Sequence, residues 1–271
     1  MIENKNIENK NILIIDANNL FYRYYYRDNE TCLKELKNFC TSTDSFYKKV
    51  IMIFDSENRT RDKFVNSYKA NRNKSDDSKK KLKEFENMTK EIAGKPTIKS
   101  KLIFLKINGY EADDLVFYLT QKLQNKYNLT LATTDKDYYQ FLSPKVNICR
   151  KLSIEKGFDY PDYILGQIYS IHNFNIEFNN IDPLTQYPII KALIGDPSDN
   201  IKGLYKVGEK TALKLLAQAP DVKSMYFLIS EKYSQEEAKQ FLIDYQLIMP
   251  LPIKFMSSKD LSYFKKFLKL F

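Results

Sequence analysis

Nine acidic residues fall at the ends of predicted strands and at predicted helix starts: Asp16, Asp55, Glu111, Asp113, Asp114, Asp135, Asp137, Asp196 and Asp199. Carboxylates brought together destabilise one another unless protons or cations intervene. The set therefore reads as a basin for hard divalent cations with oxygen ligands. Glu111, Asp113 and Asp114 share the first turn of a predicted helix that begins after Gly109 and continues with Leu115, Leu119 and Leu123, each four residues apart. The positive end of a helix dipole stabilises anions at such a turn. Three acids in four residues exceed what capping needs, and they present ligands from more than one angle. Asp135 and Asp137 stand at alternate positions just past a strand-like run, where both side chains can point the same way. Asp196 and Asp199 precede Gly203, Gly208 and an apolar helix. Glycines before a helix start expose backbone N–H groups that hold a phosphate without reading a base.

The elements that must position these acids are legible as short apolar runs. Ile12–Ile15 ends at Asp16, Val50–Phe54 ends at Asp55, Leu102–Leu105 precedes Gly109, and Leu129–Thr133 leads into Asp135. Continuous apolar runs separated by helical patterns predict a mostly parallel sheet covered on both faces by helices, an α/β fold. Ligands of such sheets gather beyond the carboxyl ends of the strands, where three of the aspartates fall. The opening repeat IENKN-IENKN has nothing to bury and predicts a disordered tail over residues 1–10. From Asp62 to Pro96 the chain is charged and broken, with little apolar periodicity, which predicts a mobile loop or exposed helices. Beyond Tyr160 helical patterns dominate, so a boundary near residue 180 separates a core over 11–180 from a helical region over 181–271. The closing Tyr263–Phe271 alternates aromatics with lysines at helical spacing, as a helix docked on the body would.

Composition removes several chemistries. The one histidine, His172, lies away from every acidic motif, which leaves no material for a Ser-His-Asp or Cys-His site or for His-ligated zinc. Cys32, Cys40 and Cys149 form no CxxC pair and no framework. No apolar run approaches the roughly 20 residues of a membrane span, and no signal peptide opens the chain. The expectation is a protein of the reducing cytoplasm with no membrane contact. The formal net charge is +9, and Arg59–Lys106 holds fifteen Lys/Arg against six Asp/Glu, which is the whole surplus. A solvated lysine-rich helical face is one reading of that segment, and an electrostatic footprint for a polyanion is the other. Tyrosines and phenylalanines close by, able to stack on bases, favour nucleic acid.

Taken together, the motifs resemble the structure-specific 5′-nuclease family of phage and bacterial 5′–3′ exonucleases and flap endonucleases. The resemblance runs from Ile12 to Ala217. It is carried in order by Ile-Ile-Asp16-Ala-Asn-Asn, Phe54-Asp55, Tyr68-Lys69-Ala-Asn-Arg72, Gly-Tyr-Glu111-Ala-Asp113-Asp114, Thr134-Asp135-Lys-Asp137 and Gly195-Asp196-Pro-Ser-Asp199-Asn. It implies a PIN-like nuclease core followed by a helix-three-turn-helix module. The nine acids would hold two Mg²⁺ or Mn²⁺ ions. Lys69 and Arg72, with Arg23 nearby, would contact the scissile phosphate, and Tyr68 would stack on the terminal base. The basic segment, about 62–100, would be a helical arch gripping a 5′ single strand with Lys79, Lys80, Lys81 and Lys83. Lys202, Gly203, Lys206, Gly208 and Lys210 would hold duplex backbone, where the family often binds K⁺. Lys206 departs from the family's second inner glycine and predicts a different backbone angle there. The implied partners are DNA with 5′ flaps, nicks or free 5′ ends, RNA–DNA primers, and replication proteins recruited to a monomer of phage or bacterial origin. The competing readings are a 5′ nuclease that removes RNA primers in the manner of RNase H, a PIN-type ribonuclease, and a non-catalytic relative that only holds branched DNA.

Overall fold

The computed structural model of the chain describes residues 10–25, 46–72, 75–150 and 168–271; residues 1–9 of the expected tail, Cys32 and Cys40 lie outside them. The four apolar runs read from the sequence form β1 (Asn11–Asp16), β2 (Lys49–Ile53), β3 (Leu102–Leu105) and β4 (Asn128–Ala132). Two further strands, β5 (Val146–Cys149) and the dipeptide β6 (Ile168–Tyr169), are too short to carry a periodic signal. The order is β3-β2-β1-β4-β5-β6, parallel throughout except for the β5–β6 pair. Strand side chains alternate between faces, and the two faces feed separate cores. Ile12, Ile14, Ile51, Ile53, Leu129 and Leu131 belong to one buried cluster, while Leu13, Ile15, Val50 and Met52 belong to another. After β3 the chain crosses back over β1 to β4, so the strand order reverses between β1 and β4. A crevice opens at that point, beyond the carboxyl ends of the strands.

Helices cover both faces. They are α1 (Ala17–Leu20), which runs on into a wide turn at Phe21–Tyr25, α2 (Asp76–Gly94) and α3 (Ala112–Leu123). After β6 come α4 (Ile171–Glu177), α5 (Tyr187–Ile194), α6 (Glu209–Gln218), α7 (Val222–Lys232), α8 (Gln235–Ile248) and α9 (Ser258–Leu268). Helices α5–α8 build a third core of their own, and Tyr68 joins it. The first core takes Phe174, Phe178 and Tyr187 on the near side of that unit, and Leu251, Met256, Phe264 and Phe267 on the far side. The chain therefore leaves the sheet for the helical unit and returns to it, and α9 docks on the sheet's own core. Among the described residues no helix is long and apolar enough to cross a membrane.

Of the two readings of the basic segment, mobile loop or exposed helices, residues 76–94 follow the helical one, with a buried stripe the sequence reading did not expect. Residues 76–94 form one continuous 19-residue helix, capped at Ser75, with Phe85 and Ile92 buried against the sheet. The inward positions are Ser78, Leu82, Phe85, Thr89 and Ile92, a regular 4-3-4-3 spacing in which Leu82 is the partly buried member. Two of the five are polar, so a pattern counted on apolar residues alone misses the stripe.

Candidate metal centre

Each acid is set by a local feature of the chain. Asp16 ends β1 and caps α1, its Oδ1 accepting from the Asn19 amide at 3.0 Å. Asp55, just past β2, accepts from Asn18 Nδ2 at 2.9 Å and from the Ala112 amide at 2.8 Å, which ties the ends of β1, β2 and α3 together. Glu111 is the N-cap of α3, with Asp113 and Asp114 in the first turn, and the three carboxylates reach within 4.8 Å of one another. Asp135 caps the 3₁₀ turn after β4 by accepting from the Asp137 amide at 2.9 Å. Asp196 and Asp199 sit in the turn after α5, which Gly195 ends at φ 81°, a left-handed angle natural to glycine.

A cleft of about 420 Å³ at the sheet's switch point collects these pieces. Asp16, Asp55, Glu111, Asp113, Asp135, Asp137 and Asp199 line it, together with Arg23, Lys69 and Arg72. Asp114 and Asp196 are not on its wall. Asp114 lies behind Glu111, fully buried against Arg61, and Asp196 shares Lys191 with Asp137, at 3.1 and 2.8 Å. Lys69 Nζ stands 2.5 Å from Glu111 and 3.4 Å from Asp199, and Arg72 pairs with Asp199. Arg23 Nη1 donates to the Arg150 carbonyl at 2.6 Å. A second cavity of about 600 Å³ adjoins the first, lined by Asp55, Lys69, Arg72 and Glu111 on one side and by Lys79, Lys80, Lys83 and Lys106 on the other. Lys81 is turned away and pairs with Asp77 at 3.0 Å.

The electrostatics divide the acids into two groups. Burial, then the neighbouring Asp55, pushes Asp16 up to about 6. Asp113 is held well above the usual carboxylate range by burial and by Asp114. Asp135 sits at the mouth of the cleft with much of its surface exposed, yet the atoms packed about its carboxyl, then Asp137 and Asp16, push it up to about 7. Burial alone would raise Glu111 as well, but the Lys69 ammonium and the Arg61 guanidinium hold it at about 2. Asp196 is held below its usual range despite burial, by Lys191. Acids that repel one another in a recess gain most from a multivalent cation. Their all-oxygen donor set, with no thiolate or imidazole, fits Mg²⁺ or Mn²⁺.

Besides Asp114, Asp196 and Lys81, two further positions sit otherwise than the sequence reading expects. Tyr68 is 4% exposed, its hydroxyl donating to Glu111 at 3.0 Å and its ring beneath Lys69, with the ammonium 4.8 Å from the centroid. Its ring packs into the helical core and is not presented to solvent as a stacking face in this structure. Lys206 has φ 59°, the left-handed angle a glycine would take, so the predicted change of backbone angle does not occur. The remaining hairpin residues lie at the surface, with Lys202, Lys206, Gly208 and Lys210 exposed and Gly203 half-buried. A Cβ on Gly203 would stand 2.4 Å from the Ile194 carbonyl carbon. Sequence reasoning missed Asn18, Asn19, Arg61 and Lys191. Asn18-Asn19, following Asp16-Ala17, was the one local signal, while Arg61 and Lys191 read as ordinary charges until folding places them against acids.

Comparisons with known proteins agree with this architecture. Residues 11–164 match the model of the 5′-3′ exonuclease, N-terminal resolvase-like domain, and residues 183–252 match that of the 5′-3′ exonuclease, C-terminal SAM fold. The chain is 32% identical over 232 residues to a 5′-3′ exonuclease of Buchnera aphidicola subsp. Schizaphis graminum, covering 80% of this chain and 73% of that one. It is 27% identical over 264 residues to the thermostable DNA polymerase I of Thermus thermophilus, covering 89% of this chain and 28% of the polymerase. In fold it is similar to T5 5′-exonuclease with divalent zinc ions bound, at TM-score 0.71 and 19% identity over 96% of this chain and 98% of that one.

Proposed function

The chain belongs to the 5′–3′ exonuclease family, and from that membership and the carboxylate cleft we propose that it hydrolyses phosphodiester bonds near the 5′ ends of flapped, nicked or primer-bearing DNA. The observation that carries this reading is the cleft itself, where seven acids face one recess beside Lys69 and Arg72, with a lysine-lined cavity adjoining. Two Mg²⁺ or Mn²⁺ ions held by the cleft acids would supply an acidified water and charge neutralisation at the reacting phosphate. Lys69 and Arg72 lie where they can pass from Glu111 and Asp199 to the non-bridging oxygens of that phosphate, and Arg23 holds the opposite lip. The guanidinium suits two-point contact with a phosphate, whereas the ammonium acts as a point charge.

The wider cavity under α2 is wide enough and basic enough to take a 5′ single strand. Lys79, Lys80 and Lys83 line it, and we assign Lys81, which is not on its wall and pairs with Asp77, to no strand contact. The exposed Lys202, Lys206 and Lys210 hairpin would follow duplex backbone. Gly203 and Lys206 both take left-handed backbone angles, so Lys206 leaves room in the proposal for the hairpin K⁺ that the family resemblance implies. A cytoplasmic, monomeric enzyme that works at replication intermediates completes the proposal. The test is product sizing on 5′- and 3′-labelled flap, nicked, blunt and RNA-primed duplexes with Mg²⁺, Mn²⁺ or EDTA. Products that begin at the 5′ end or at the flap junction, and vanish in EDTA, are expected. Full cleavage in EDTA, or release from 3′ ends, would overturn the reading.

A further inference from the structure

Behind the cleft, a buried ion pair joins the acidic turn of α3 to the segment that follows α8. Arg61 is 3% exposed and Asp114 0%. Arg61 Nη1 and Nη2 donate to the two Asp114 oxygens at 2.8 and 2.7 Å. Nη1 also donates to Glu111 at 3.0 Å, and Nη2 to the Met249 carbonyl at 2.9 Å. Asp114 accepts two backbone amides besides, Glu111 at 2.9 Å and Leu251 at 2.7 Å. Two carboxylate oxygens offer about four lone-pair sites, and here four N–H groups fill them. A cation entering this spot would have to displace a guanidinium from a dry pocket and strand its charge there.

We propose that Asp114 is a positioning residue and not a metal ligand. With Arg61 it forms a clasp that aims Glu111 into the cleft and locks the strap Met249–Pro252 to α3. The same strap is fixed twice more, by Tyr118 donating to the Leu251 carbonyl at 2.9 Å and Tyr110 to the Pro252 carbonyl at 2.7 Å. It continues directly from α8, whose Asp244 accepts the Gly203 amide at 3.1 Å. One hydrogen-bonded path thus runs from the hairpin to Glu111 and sets the cleft and the hairpin in a fixed register. This deepens the nuclease reading and rests on it only for the catalytic consequence.

The clasp and a ligand role predict opposite signs in metal-free protein. Removing a repelled ligand carboxylate relieves strain, whereas removing one half of a buried pair strands the other half. Melting of the full chain in EDTA is expected to rise or stay level for Asp113→Asn and to fall by about 5 °C or more for Asp114→Asn and for Arg61→Met. The double variant Arg61→Met/Asp114→Asn should fall by less than the sum of the two. A rise for Asp114→Asn, or additive losses, would overturn the clasp whatever the metal does. Calorimetric Mn²⁺ titration of DNA-free protein should give Asp114→Asn the wild-type number of ions, while Asp113→Asn binds fewer or binds more weakly. Loss of an ion in Asp114→Asn would make it a ligand, and unchanged binding in Asp113→Asn would instead sink the metal reading. At a temperature where both proteins are folded and Mn²⁺ is saturating, single-turnover flap cleavage by Asp114→Asn should drop about tenfold. An unchanged rate would reduce the pair to a fold staple and overturn the positioning role.

Discussion

At the scale of single residues, the cleft is a place where crowded carboxylates hold their protons to higher pH than isolated ones. Asp16 and Asp135 are pushed up to about 6 and about 7. Both lie above the roughly 3.9 of an unfolded aspartate. Between those values each of these acids binds more protons folded than unfolded, so their contribution to stability falls as pH rises above about 4, Asp135's share being the smaller because its exposed side is screened by solvent. Divalent cations should reverse that loss. In EDTA the melting temperature is therefore expected to be lower at pH 8 than at pH 5, and added Mg²⁺ should recover the difference at pH 8 while doing little at pH 5. A metal-free protein that melts higher at pH 8 would contradict the crowded-acid account. Asp135→Asn and Asp137→Asn should each remove most cleavage, on the order of a hundredfold or more, and leave flap affinity in Ca²⁺ largely intact. Neither side chain belongs to the lysine-lined wall. If affinity fell in step with the rate, both residues would be holding DNA rather than the reaction centre.

At the scale of elements, α2 decides which lysines meet a strand. Its stripe of Ser78, Leu82, Phe85, Thr89 and Ile92 faces inward, so Lys79, Lys80 and Lys83 reach the cavity while Lys81 does not. Neutralising those three should lower the salt slope of binding to a 5′-flap substrate by up to about 0.7 per lysine, and neutralising Lys81 alone should leave it unchanged. Lys83 already pairs with Glu57 and Glu86, at 3.1 and 3.2 Å, so its share of that change should be the smallest. Salt titrations on flap and blunt duplex, for the triple variant and for Lys81→Ala, check this. Equal changes on both substrates would make α2 a general charge reservoir.

At the scale of the whole molecule, three cores meet at one crevice, and the hairpin after α5 is bolted to its neighbours by backbone contact. Gly203 has φ 63°, and a side chain there would meet the Ile194 backbone at 2.4 Å. Gly203→Ala should therefore displace the hairpin as a unit and weaken duplex binding about tenfold or more, a loss of about 1.4 kcal/mol or greater. Cleavage of a short single-stranded 5′ end should be affected far less. Fluorescence binding to a blunt duplex and single-turnover cleavage on both substrates would separate the two effects. Equal losses on both would place the hairpin's role at the reaction centre instead.

While the order of the strands came from the structure, the sequence by itself determined the mostly parallel sheet, the positions of its first four strands and the acids at their ends. Those features are local, because a buried strand must be apolar and a ligand must sit where a strand or a helix cap stops. What Tyr68, Asp114 and Lys191 touch was decided only by the tertiary structure. Whether a tyrosine stacks on a base or supports Glu111, and whether an aspartate faces a cation or an arginine, depends on what distant segments place beside it. Arg61 lies 188 positions before its Met249 partner. No window along the chain contains both. The α2 stripe was missed because burial at Ser78 and Thr89 is granted by the shape of the sheet beneath them and not by their own apolarity. Hydrophobic pattern is written residue by residue, whereas the choice between neutralising a charge with a metal and pairing it with a side chain is made by the three-dimensional arrangement that brings the charges together.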